Sequence, residues 1–259
     1  MALTYGTVWG DYGDEKVTST TADFGLTVGT RMVLPDGRVF RYAFSNGAAG
    51  AGTGVQSSIA LANQDSDLAV STAAAVGAKS VTITFGTSPN TDVAKDQYAN
   101  GYLFVNDVDG EGHVYRIRGE NAHVAADVSA SPAVPVYLQD GDGIAEALTT
   151  SSEIGLVANP YMHVIPTPGG AQTARCVGFA PAEVADDSYF WAQTWGEAAV
   201  LANGTLVIFT PLRVSDDTTA GSVEAYSSDT DNEEQQIGYA TNVLAATTEY
   251  QFAFLTISP

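Results

Sequence analysis

Apolar residues run along this chain in short stretches rich in β-branched and aromatic side chains, and Gly, Thr, Ser, Asp and Asn interrupt them about every ten residues. That texture predicts strands joined by turns, an all-β protein. Val81-Thr82-Ile83-Thr84-Phe85 alternates strictly, which predicts a strand burying Val81, Ile83 and Phe85 and turning its threonines outward. Tyr102-Leu103-Phe104-Val105 has no polar alternate and predicts a strand covered on both sides. Asp109-Gly110-Glu111-Gly112 then supplies turn residues before alternation resumes at His113-Val114-Tyr115-Arg116-Ile117-Arg118, so the two segments predict a hairpin. Asn203-Gly204, between Ala198-Ala199-Val200-Leu201 and Thr205-Leu206-Val207-Ile208-Phe209, predicts a second hairpin on a tight turn. In the last apolar segment Tyr250, Phe252 and Phe254 share one face, which predicts a terminal core strand.

The first 65 residues have a different texture, with Gly10, Gly13, Gly25 and Gly29 and the run Asn46-Gly47-Ala48-Ala49-Gly50-Ala51-Gly52 breaking the pattern. Between these breaks Pro35-Asp36-Gly37 predicts a turn joining strands at 30–34 and 38–44. Phe40, Tyr42 and Phe44 line one face of that hairpin, and Arg41 projects from the other beside Val39. An isolated hairpin cannot bury both faces, so this one must find cover on a neighbouring subunit, on a second protein or on its own chain. Helix is scarce; 67–76 has length for two turns, weakened by Ser, Thr and Val. Prolines at 160, 166 and 168 mark a boundary near residue 160. The expected organisation is an extended N-terminal arm and hairpin over 1–65, a β-rich domain over 66–160 and a β-barrel-like domain over 161–259, each a hairpin-rich sandwich or barrel.

Charge narrows the partners. The chain has 10 basic and 30 acidic residues, a net charge of −20, and only Arg175 and Arg213 are basic after residue 118. Residues 1–118 carry 8 basic and 12 acidic side chains, against 2 and 18 in 119–259. Nucleic acid is an unsuitable partner, because phosphate binding draws its affinity from lysine and arginine. The more basic N-terminal part is the better surface for an acidic macromolecule. No apolar run approaches the roughly 20 residues of a membrane-spanning helix. Met1-Ala2-Leu3-Thr4-Tyr5-Gly6 lacks the basic and apolar regions of a secretory leader, so synthesis and use without export are expected. The single cysteine, Cys176, allows no internal disulfide.

Catalytic patterns are weak. No serine sits in a Gly-x-Ser-x-Gly turn, and His113, His123 and His163 occur in ordinary contexts. Asn106-Asp107-Val108-Asp109-Gly110-Glu111 gathers carboxylates, but counting from Asp107 puts Gly110 fourth and Arg118 twelfth, the wrong spacing for a calcium hand. Asp216-Asp217, Asp229-Thr230-Asp231 and Glu233-Glu234 suit a solvated acidic face. No catalytic residue, metal ligand or cofactor site is expected. Trp191 and Trp195, with Tyr189-Phe190, fit either a packed aromatic strand in a core or subunit interface, or rings that stack on sugars in a carbohydrate-binding module.

The chain as a whole resembles the capsid decoration, or cement, proteins of tailed bacteriophages. The resemblance is carried by Gly29-Thr30-Arg31, Pro35-Asp36-Gly37-Arg38-Val39-Phe40-Arg41-Tyr42, and Gln97-Tyr98-Ala99-Asn100-Gly101-Tyr102-Leu103-Phe104-Val105 with Gly110-Glu111-Gly112-His113-Val114-Tyr115. Asn159-Pro160-Tyr161, Phe190-Trp191-Ala192-Gln193-Thr194-Trp195-Gly196-Glu197-Ala198 and Gln235-Gln236-Ile237-Gly238-Tyr239-Ala240 extend it through the C-terminal half. It implies a structural protein without catalytic residues, a homotrimer on the outer capsid surface of the virion. Such a trimer is made in the host cytoplasm and clamps neighbouring major capsid protein subunits. On that reading Arg31, Arg38 and Arg41, with Phe40 and Tyr42 beside them, meet the shell, while Trp191 and Trp195 lie in the core or the trimer interface. A tail, spike or fibre component is the nearest alternative.

Overall fold

The computed structural model describes residues 6–23, 25–59, 64–85, 92–124, 133–139, 141, 143–226, 235–243 and 248–259. The acidic stretch containing Asp229, Asp231, Glu233 and Glu234 lies outside these residues. The protein is all-β, with a short 3-10 turn at Asp14–Lys16 as its helical element among the described residues. Two compact units divide the chain: residues 60–159 form one, and residues 1–59 together with 160–259 form the other.

In chain order, β1 (Thr7–Trp9), β2 (Arg31–Val33), β3 (Val39–Phe44) and β4 (Gly54–Gln56) open the discontinuous unit. The continuous unit then contributes β5 (Leu68–Thr72), β6 (Ser80–Thr84), β7 (Tyr102–Asp107), β8 (Val114–Glu120), β9 (Ala133–Leu138) and β10 (Glu153–Val157). The chain returns with β11 (Ile165–Pro166), β12 (Cys176–Phe179), β13 (Tyr189–Leu201), β14 (Pro211–Val214), β15 (Val223–Ala225), β16 (Gln236–Ala240) and β17 (Tyr250–Thr256).

The continuous unit is a closed six-stranded barrel in the order β5, β6, β9, β8, β7, β10, with β10 pairing back onto β5. Alternation builds it: Val81, Ile83 and Phe85 are fully buried as their spacing requires, and they meet Leu103, Ile117, Val136 and Ile154 inside. Closure leaves no strand edge open, the geometry that most directly prevents edge-to-edge aggregation. The β7–β8 hairpin forms where Gly110 and Gly112 permit the turn, both with positive φ. Two local expectations fail here. β7 alternates between exposed Tyr102 and buried Leu103 instead of being covered on both sides, because a barrel wall has one solvent face. The segment 67–76 holds the strand β5 and no helix, because its alternating Leu68 and Val70 complete the barrel interior.

The discontinuous unit is an eleven-stranded sheet whose main path runs β1, β2, β3, β13, β17, β16, β14, β15, with β4, β11 and β12 branching from it. The β2–β3 hairpin finds its cover on its own chain: β3 pairs antiparallel with β13 from Tyr189↔Phe44 to Trp195↔Val39. That pairing extends the sheet, and the hairpin face of Phe40 and Tyr42 is buried in a cluster with Val28, Met32, Leu34 and Trp191, against which Leu26 and Tyr161 also pack. β13 is the organising strand, pairing with β3 through its first half and with β17 from Trp195↔Thr256 to Leu201↔Tyr250. A bulge between Gln193 and Trp195 and the positive φ of Gly196, 90°, bend it where one pairing hands over to the other.

The hairpin expected at Asn203-Gly204 does not form. β13 pairs with β17 instead, Ala202 bridges Val223, and 208–209 are a turn. Long-range pairing thus overrode a favourable local turn sequence, although Gly204 keeps its positive φ of 83°.

Candidate interaction face

β17 reverses the expected inside and outside. Tyr250, Phe252 and Phe254 do share a face, but Gln251, Ala253 and Leu255 are the buried set, while Tyr250 and Phe252 are 55% and 48% exposed. The interior is already filled by Val200, Leu206, Leu212, Val214 and Ile237, which leaves room for a small residue at Ala253 and turns the large rings outward.

Those rings join others across the sheet. Trp195 meets Phe254 edge to face at 5.5 Å between centroids, Phe254 stacks on Tyr239 at 5.4 Å, and Tyr239 lies 6.5 Å from Phe209. Phe209 is 73% exposed and follows Val207 and Ile208, both about half exposed. A connected aromatic strip therefore covers the outer side of β13, β17 and β16. Isolated exposed apolar residues are ordinary, whereas a contiguous run of rings makes this side a candidate interaction surface. The sequence carried an unused sign of it: residues 198–212, 235–243 and 250–259 contain no charged side chain in a chain of net charge −20.

Along β13 and β17 the strip borders a groove of about 970 Å³ whose lining includes Trp195, Phe252, Phe254 and Tyr250. Gly52 and Gly196 keep it open. A Cβ on Gly52 would lie 2.7 Å from the Tyr250 ring and one on Gly196 would lie 3.1 Å from the Arg38 side chain, and both residues have positive φ. The rim is polar and nearly balanced, with Glu15, Asp36 and Glu197 against Lys16 and Arg38.

The arginines expected to meet a partner are largely engaged within the chain. Arg38 Nε donates to Asp36 Oδ2 at 2.7 Å, its guanidinium lies 3.6 Å from buried Glu15, and it sits 5.6 Å over the Phe40 ring. Burial works against ionisation of Asp36, but the Arg38 hydrogen bonds and charge outweigh it and hold the carboxyl below its usual range. Arg41 donates to the Ser258 hydroxyl at 3.2 Å and to the Gly29 carbonyl at 3.4 Å. Arg31 is half-buried directly opposite Arg41. Phe40 and Tyr42, at 0% and 2% exposed, lie inside the core and are removed from any contact surface, because they pack in a cluster with Val28, Met32, Leu34 and Trp191. Trp191 is buried against Tyr42 at 5.0 Å, and Trp195 is half-buried in the outer strip.

Chemistry elsewhere is dispersed. Among the described residues no group of three or more His, Cys, Asp or Glu is arranged to hold a metal. His113 and His123 belong to the barrel unit, while His163 lies in the other. Burial pushes the Cys176 thiol up to about 12, so it is protonated and unreactive at neutral pH. One buried acid stands out in the barrel. Glu120 is 1% exposed; its Oε1 accepts the Tyr98 backbone N–H at 2.7 Å, and its Oε2 is buried with no hydrogen-bond partner. Burial chiefly, with the nearby Asp96 charge adding to it, raises this carboxyl to about 7.

The class defined by fold and surface is thus an all-β protein pairing a closed barrel with a sheet that carries an outward aromatic face. Compared with protein-family models, with curated proteins and with solved structures, the chain finds no match.

Proposed function

We propose that this chain is a structural virion protein that binds the outside of an icosahedral phage capsid as a homotrimer and reinforces contacts between major capsid subunits. The observation that carries the reading is the aromatic strip of Trp195, Phe254, Tyr239, Phe252 and Phe209, with Glu197 the one acid set opposite Phe254, on a strongly acidic chain. Rings left in water by the single chain are suited to burial against protein, and interface centres are rich in aromatics and poor in charge. This shifts the contact surface from the arginine hairpin, where Arg38 meets Asp36 and Glu15 and Arg41 meets Ser258 and the Gly29 carbonyl, to the outer side of β13 and β17. Reinforcement needs no catalysis: a trimer bridging several subunits must release all of them at once, so modest contacts multiply.

Quantitative mass spectrometry of purified virions tests the reading. A fixed ratio to the major capsid protein, with hundreds of copies per particle, is expected. A handful of copies would instead make the chain a tail, spike or fibre component, and absence from virions would overturn the reading. A sugar-binding module that uses Trp191 and Trp195 together meets a geometric obstacle, because Trp191 is 6% exposed.

A further inference from the structure

The outer face carries a protrusion as well as a groove. Val207, Ile208 and Phe209 form a turn closed by the Thr210 N–H on the Val207 carbonyl at 3.0 Å, and Leu206 beneath them is fully buried as an anchor. Phe209 donates its N–H to the Ala240 carbonyl at 2.8 Å and holds φ at 65°, a left-handed conformation that a bulky side chain rarely adopts. The backbone thus holds three apolar side chains up into solvent at a fixed place, with the ring of Phe209 the most exposed of them. Phe209 does not line the groove of its own chain.

A convex apolar tip and a concave aromatic groove on one surface are complementary to each other, not each to itself. We infer that the Val207, Ile208 and Phe209 tip of one copy seats in the groove between β13 and β17 of the next, over Trp195, Phe252 and Phe254. Charge argues for a second copy as the occupant. Two chains of net charge −20 repel wherever their acidic surfaces face each other, and the tip, within 198–212, and the β17 side of the groove, within 250–259, carry no charged side chain. The groove rim, with three acids against two bases, adds little net charge. Because tip and groove are different surfaces, the contact is head-to-tail, the kind that closes into a ring when the rotation between copies allows it. This contact rests on the self-association proposed above, but not on what the assembled ring attaches to.

Paired cysteine substitutions test it directly, since the native Cys176 is buried and does not compete. Purified full-length Phe209→Cys and Phe252→Cys chains are mixed and oxidised with copper phenanthroline. A disulfide-linked dimer in the mixture, at least about tenfold more abundant than in either variant alone, is expected. No cross-link in the mixture, or equal cross-linking of Phe252→Cys with itself, would overturn the contact, the latter by showing like face on like face. Sedimentation supplies a second readout. Phe209→Asp should weaken self-association at least ~30-fold, as loss of a central interface residue does, with an unchanged circular-dichroism spectrum. A wild-type chain that sediments as a monomer at micromolar concentration would also overturn it. High virion copy number without the mixed disulfide would remove the contact and leave the capsid reading standing. A mixed disulfide in a chain absent from virions would do the reverse.

Discussion

The barrel of residues 60–159 and the sheet unit of residues 1–59 and 160–259 draw on the same strand chemistry, and both bury large side chains such as Phe85 and Phe40, but β17 of the sheet unit turns its large rings outward. In the barrel, Phe85, Ile83, Leu103 and Ile117 point inward and the last strand pairs with the first. Its exposed apolar residues are scattered valines, such as Val76, Val114 and Val157, with Tyr102. In the sheet unit, β17 buries Ala253 and Leu255 and shows Tyr250 and Phe252 to solvent. The first arrangement satisfies itself within one chain. The second leaves apolar area uncovered, which the hydrophobic effect favours burying against something else. The lesson is that inward and outward are decided by the volume the other strands leave, not by which alternate is larger.

That contrast can be broken by substitution. Ile83→Ala, inside the barrel, should cost about 2–5 kcal/mol in chemical denaturation. An effect below 1 kcal/mol would mean that the barrel interior is not close-packed. Glu120→Gln acts in the opposite direction. The folded carboxyl, raised to about 7, keeps its proton after the unfolded one has lost its own near 4.5. Stability of the native chain should therefore fall as pH rises from about 4.5 to about 7 and level off above that, a loss of about 3 kcal/mol at most. Glu120→Gln should abolish that slope and be the more stable protein at pH 8, as read from urea midpoints across pH. Gly196→Ala, in the groove wall, should cost about 1–2 kcal/mol for the left-handed backbone and weaken self-association by crowding Arg38. Smallest of all, Phe252→Ala should change the stability of the isolated chain by no more than about 0.5 kcal/mol. A large loss there would place Phe252 in the core and erase the distinction between the units.

Local features were legible. The Pro35-Asp36-Gly37 and Gly110–Gly112 turns and the alternating strand at 81–85 follow from backbone freedom and period-two burial, which act over a few residues. Barrel closure was not legible, because pairing β5 with β10 joins residues more than 80 positions apart and no short segment encodes it. For the same reason Asn203-Gly204 misleads: β17, some 50 residues on, takes the place expected for the following segment. Parity of β17 was ambiguous because both of its alternating sets contain apolar residues. The candidate face was legible only through charge, in segments too uncharged for the chain that holds them, whereas Arg38 and Arg41 stood out as exposed cations although Asp36, Glu15 and Ser258 engage them.

The placement of the barrel between the two parts of the sheet unit sets an order on synthesis. Residues 60–159 hold every strand the barrel needs, so it is able to fold as soon as β10 has left the ribosome. The β2–β3 hairpin must wait for β13, about 145 residues later, which at 5–20 residues per second is roughly 7–30 s. For that interval Phe40 and Tyr42 have no permanent cover, and the nascent chain is most exposed to mispairing with other copies. A completed barrel tethered to an unfinished sheet is thus the intermediate that a folding chaperone would meet.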